Sequence, residues 1–157
     1  MKKHPSPILS LVAGSLLIIS VSQTVIAGEE KTRPIPGIPS NSLEMFGGKE
    51  GVHEWAKALF HFIMLDTRIN HMFKEFGNPE RQIFLNTQLE TMVLGGPNNY
   101  QGASMAAAHA DLNINMEQFN AVVEAAYNAC ERVSIHYWTC NQLIAALAPF
   151  TDDIVTR

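Results

Sequence analysis

The 157-residue chain lacks any concentration of positive charge. Its 11 lysines and arginines stand against 15 acidic residues, a formal net charge of −4, and no basic block occurs. A surface that binds nucleic acid needs a cationic face to displace counterions from phosphates, so that class is set aside. Cysteine is nearly absent. Two residues cannot build a disulfide-dense miniature fold, and the lack of any C-x-x-C removes most structural zinc sites. There is no H-E-x-x-H, and no two histidines are spaced to share a helix face at i, i+4, so a zinc centre of several histidines has no support. Sustained alternation with β-branched enrichment is missing, which argues against a sheet. There is no internal repeat, no low-complexity tract, and no flavin or nicotinamide motif.

What is present is enough apolar material for one core: 46% hydrophobic residues against 17% charged, at about the length of one domain. Residues 1–27 carry Lys2 and Lys3, then an apolar stretch over 8–21, polar Ser22, Gln23 and Thr24, and Val25-Ile26-Ala27. This is the three-part grammar of a secretory signal with Val-x-Ala as the cleavage site. The apolar stretch is shorter than the roughly 20 residues a spanning helix requires, and Ser10, Gly14, Ser15 and Ser20 interrupt it. The expected location is the periplasm; a retained anchor facing the periplasm is the alternative. Residues 28–41 hold Pro34, Pro36 and Pro39 among charged residues and read as an extended tether. The folded unit is expected over 42–157.

That unit reads as all-α. Val52, Trp55, Ala56, Leu59, Phe60 and Ile63 fall on one helical stripe. Asn78-Pro79 is a helix start, and Gly95-Gly96-Pro97 ends the helix that follows. Asn115 with Gln118 forms a capping-box signature before the stripe of Phe119, Val122, Val123, Ala126, Tyr127 and Cys130. Thr139 with Gln142 repeats the signature before Leu143, Ile144 and Leu147, and Pro149 is expected to interrupt that last helix. Residues 97–103 have little reason to be helical. An irregular stretch of that length in a small helical domain commonly carries function.

Directly after it comes Ser104-Met105-Ala106-Ala107-Ala108-His109. Alanines on either side would let a flat cofactor approach the backbone while one imidazole reaches out. A single neutral imidazole is a good iron ligand. A lone helical histidine is also commonly plain surface or core.

The order Phe46-Gly47-Gly48, Leu94-Gly95-Gly96-Pro97, Tyr100-x-Gly102, Met105 and His109, continued by Phe119-x-x-Val122-Val123 and Ala146-Leu147-Ala148-Pro149, resembles the truncated haemoglobins, in particular their first group. The resemblance covers about residues 43–155. It implies a two-over-two helical sandwich around non-covalent haem b, with His109 as the proximal iron ligand; covalent c-type attachment is excluded by the missing C-x-x-C. Phe73 matches the phenylalanine that packs on the haem face. Met105, Met116, Phe119, Val122 and Leu147 match wall positions. Ordinary core packing would place the same residue types at these positions.

The distal side departs from the family pattern. Counting from Gly48, the family's distal tyrosine position falls on Phe60, followed by His61. Counting back from Leu94, the distal glutamine position falls on Asn86, with Gln82 one turn earlier and Leu85 and Leu89 sharing the pocket side. Glu90 falls where the family carries an aromatic or aliphatic residue, which implies that this helix is rotated or shifted by a residue. Phe60 cannot donate a hydrogen bond, so Asn86 or Gln82 must stabilise a bound diatomic. Oxygen retention should be weaker than in tyrosine-containing relatives. The implied function is binding of O2, NO and CO, with conversion of nitric oxide to nitrate as the family's reaction, weak peroxidase activity as a variant, and a separate electron donor. The alternatives are a gas or redox sensor or an electron-transfer protein with His61 or His71 as a sixth ligand, and a haem-free helical interaction module. Cys130 and Cys140 could clamp a helix connection as a disulfide or be two small buried residues.

Overall fold

The computed structural model describes residues 37–157. The expected secretory signal and most of the expected tether lie outside the described residues. Among the described residues every regular element is helical: α1 Ser42–Met45, α2 Gly48–Leu65, α3 Asn70–Phe76, α4 Pro79–Val93, α5 Met105–His109, α6 Met116–Arg132, α7 Tyr137–Leu147, a 3-10 turn Ala148–Phe150, and α8 Thr151–Ile154. None is long and apolar enough to cross a membrane.

The strongest amphipathic segments form the frame. On α2 the stripe of Val52, Trp55, Ala56, Leu59 and Ile63 is buried, with Phe60 half-buried at its edge. This stripe packs against both α4 and α6, while α7 lies on α6 and reaches α4. Two helix pairs, α2 with α4 and α6 with α7, thus share one core. Trp55 ties the pairs together by donating from Nε1 to the Ala126 carbonyl at 3.2 Å. Small residues on α6 (Ala121, Ala125, Ala126 and Ala129, all buried) let it approach α2 closely. The packing reaches back into the expected tether: Ile38 is half-buried against the core.

The helix ends follow local chemistry. The α1–α2 corner needs left-handed backbone at both Gly47 (φ 88°) and Gly48 (φ 67°), a conformation that side chains resist. A third glycine, Gly51, is required for a different reason: a Cβ there would collide with the Phe46 carbonyl oxygen across that corner. Asn78 caps α4 by accepting from the Arg81 amide, with Pro79 at the first helical position. Gly95 at φ 94° ends it. The reciprocal Asn115–Gln118 capping box opens α6.

One boundary differs from the sequence reading. α7 does not start at Thr139. It starts at Tyr137, and its cap lies three residues earlier than expected, because His136 accepts from the Trp138 amide through Nδ1 at 3.2 Å. Thr139 is then an interior, buried residue. At the other end Pro149 falls in the 3-10 turn that separates α7 from α8. The α6–α7 connection is closed by a Cys130–Cys140 disulfide with a Cα separation of 6.1 Å, within the usual range.

Candidate functional site

The candidate site is assembled from α2 and α3, from α4, and from the segment 97–109. α5 is only five residues long and buries none of its own side chains. Ser104 caps it by accepting from the Ala107 amide, and α8 packs against it. The chain leaving α5 is held by the C-terminus, where the Thr156 and Arg157 amides donate to the Ile114 carbonyl.

His109 is at the last position of α5 and is half-buried. Its Nδ1 lies 2.7 Å from the Met105 carbonyl oxygen. A carbonyl oxygen can only accept, so Nδ1 carries the proton and Nε2 keeps its lone pair. That tautomer and ring anchoring are what an iron-binding imidazole requires. Ala106 and Ala108, around it, are exposed and end at Cβ. The donor chemistry at His109 therefore fits a haem iron.

The approach to His109 is stiffened by the irregular segment. The Tyr100 hydroxyl donates to the Ala103 carbonyl at 3.0 Å, and the missing Cβ of Gly102 leaves the space in which the end of the Tyr100 ring lies. The Gln101 amide donates to Gln88 Oε1 at 3.1 Å and pins the loop to α4. Burial first, and then the nearby Glu90 carboxyl, push the Tyr100 phenol above its ordinary value, against a weaker pull from Arg81.

Between α2 and α3, Phe60 and Phe73 meet edge to face with centroids 6.1 Å apart, so the structure brings these two expected residues together. Asn86 and Gln82 are both half-buried on α4, and Asn86 Nδ2 donates to the Gln82 carbonyl at 2.9 Å. Leu89 is in the core and Leu85 is half-buried. Met105, Val122 and Leu147 pack on the core as partly buried residues. Phe119 is half-buried, whereas Met116 is 49% exposed. His61 does not join this group. It sits on the exposed face of α2 beside the Phe62 ring, and His71 is exposed on α3.

The sequence reading missed how polar the buried part of α4 is. Thr87, Gln88, Glu90 and Thr91 are all buried. Thr87 and Thr91 satisfy themselves by donating to carbonyls four residues back, and His53 of α2 meets the Thr87 hydroxyl at 3.2 Å. Glu90 is the exception. The helix is not turned to release it: the side chain is 2% exposed and Oε2 has no hydrogen-bond partner. Burial raises its carboxyl to about 8. The signal in the sequence was the run Thr87-Gln88-Leu89-Glu90-Thr91 on a helix whose flanks are both covered.

Comparison with known proteins follows the same lines. The family described as bacterial-like globin matches residues 41–156. A group 1 truncated haemoglobin of Tetrahymena thermophila is 36% identical over 81 residues, which span 52% of this chain and 66% of that protein. One from Tetrahymena pyriformis is 31% identical over 55% of this chain and 70% of its own length. A crystal structure of the ferric T. pyriformis truncated haemoglobin, in a tyrosine-to-phenylalanine variant, superposes with a TM-score of 0.70 at 25% identity, covering 74% of this chain and 98% of that one. The fold is that of the two-over-two truncated globins.

Proposed function

This chain belongs to the bacterial-like globin family, and from that premise we propose that it binds haem through His109 and takes diatomic gases as ligands. Haem b, when bound without covalent attachment, supplies an iron at which O2, NO and CO bind and at which NO can be converted to nitrate.

The observation that carries this reading is the His109 ring, fixed through Nδ1 on the Met105 carbonyl with Nε2 left free. Phe73 and Phe60 offer an aromatic edge and face to a planar group. Met105, Phe119, Val122, Leu89 and Leu147 supply apolar walls that exclude water, whereas Met116 is about half exposed. Leu85 stands beside the two polar side chains of α4. Asn86 spends one of its two amide hydrogens on the Gln82 carbonyl, which leaves the second for a ligand. Gln82, one turn earlier, offers the same donor group. Phe60 offers none, and so the pocket should hold oxygen loosely.

The N-terminal 27 residues support export to the periplasm. The Cys130–Cys140 disulfide suits an oxidising compartment. Turnover of NO requires a reductant to return the iron to the ferrous state, and a separate protein must provide it. A six-coordinate resting state through His61 or His71 requires an exposed side chain to turn inward.

Absorbance spectra of the purified protein, ferric and ferrous, with and without carbon monoxide, test haem binding; a protein that takes up no haem refutes it. Stopped-flow mixing of the protein under oxygen with NO separates a gas binder from an NO dioxygenase.

A further inference from the structure

Glu90 is the only ionisable side chain among the described residues that is more than nine-tenths buried, and nothing above uses it. Gln82, Asn86 and Glu90 recur at every fourth position of α4. They therefore run along one face, each about 6 Å from the last, with burial increasing toward Glu90. The two amides assigned to the ligand side are thus continued by an acid.

The surroundings offer Glu90 no compensation. On α2, His53 is engaged with Thr87, and Lys49, Glu50, Glu54, Lys57 and His61 are exposed. From the segment 97–104 it is Tyr100, whose hydroxyl is spent on Ala103. On α7, Tyr137 is exposed and Cys140 is closed in the disulfide; on α1, Glu44 is exposed; on α4, Arg81 is exposed in the first turn. Oε2 meets none of them within hydrogen-bond distance.

We propose that Glu90 stands as a neutral carboxylic acid buried one turn behind Asn86 on the ligand-side face of α4 and sets which ligand charge the site accepts: protonated, it tolerates an anion at the iron; ionised, it excludes one. The inference rests on haem binding at His109. Its warrant is desolvation. A carboxylate without a cation or donors in an apolar interior costs more free energy than keeping its proton, and burial holds this group protonated to about pH 8. Above that pH a fixed negative charge appears beside the pocket. For two like charges roughly 6–10 Å apart at an effective permittivity of about 20, affinity falls roughly 15- to 100-fold. Neutral carbon monoxide feels no such penalty.

The test is azide titration of the ferric haem-loaded protein at pH 6 and pH 9, for wild type, Glu90→Gln and Glu90→Leu. Loss common to all three belongs to the iron's own bound water. With about one carboxyl in eleven still protonated at pH 9, the expected result is an additional loss of roughly 6- to 10-fold in the wild type alone, with carbon monoxide affinity of the ferrous forms unchanged. Equal pH dependence in wild type and both variants overturns the proposal. Infrared difference spectra of the purified protein between the same two pH values give a second readout. A protonated-carboxyl carbonyl band present at pH 6, lost at pH 9 and absent in Glu90→Gln supports the proposal, and no such band at pH 6 refutes it. Failure to take up haem removes the underlying reading. An unchanged azide profile with haem bound removes this inference alone.

Discussion

Replacing Glu90 by glutamine should make the protein more stable, and the gain should depend on pH. In the folded chain the Glu90 carboxyl titrates at about 8 against an ordinary 4.5. Between those two values the folded state keeps a proton that the unfolded state has released. Stability therefore falls as pH rises through that window, and it levels off once pH passes the folded value. A gap of about 3.5 units at about 1.36 kcal/mol per unit sets a ceiling near 5 kcal/mol, and an effect on the order of 3–5 kcal/mol is expected in full above pH 8. Glutamine has nearly the same shape and no charge, so its stability should lack this component. Urea unfolding of haem-loaded wild type and Glu90→Gln at pH 5, 6, 7, 8 and 9 measures the difference. Contributions that the substitution does not touch cancel in that difference. The advantage of the variant should grow steadily from pH 5 to pH 8. A difference that stays constant within about 0.5 kcal/mol across the range would show that Glu90 carries its charge in the folded protein or is solvated, and the argument would fail.

Three further outcomes follow from the site and its frame. Phe60→Tyr should slow oxygen dissociation by roughly 10- to 150-fold, the worth of about 1.5–3 kcal/mol for a hydrogen bond to a charged acceptor, as measured by stopped-flow displacement with carbon monoxide; an unchanged rate removes Phe60 from the account. Asn86→Leu should speed oxygen dissociation, and the same change at Gln82 identifies which amide faces the ligand; if neither moves the rate, neither donates. The Cys130→Ser, Cys140→Ser double variant should lose about 2–3 kcal/mol in denaturant unfolding, from the entropy of the short loop the disulfide closes, while the haem spectrum stays the same.

The parts of this fold that were legible in the sequence are those where one local signal acts without competition. The α2 stripe announced both the helix and its buried face. Asn78-Pro79 and the Asn115–Gln118 box marked helix starts to the residue, since a cap needs only its own few neighbours. The start of α7 was misread because two residues with capping chemistry stand close together: Thr139 and Gln142 carry the stronger signature, but His136 takes the role and Thr139 goes into the core. Glu90 was misread for a different reason. Periodicity treats a charged residue as a mark of the solvent face, and on that logic α4 should turn. The helix is covered by α2 on one side and by α7 and the 97–104 segment on others, so no rotation could free it. His109 was legible as a residue worth attention from its alanine setting. The Met105 carbonyl that fixes its ring is a backbone group, and no side-chain pattern announces it.

The central claim is that the Nε2 atom of His109 holds the iron. The most direct measurement is the absorbance and resonance Raman spectrum of His109→Gly loaded with haem, recorded with and without added imidazole. The account predicts weakened haem retention and loss of the iron–histidine signature in the variant, both restored by imidazole. A variant that keeps its haem with the wild-type spectrum in the absence of imidazole would contradict it.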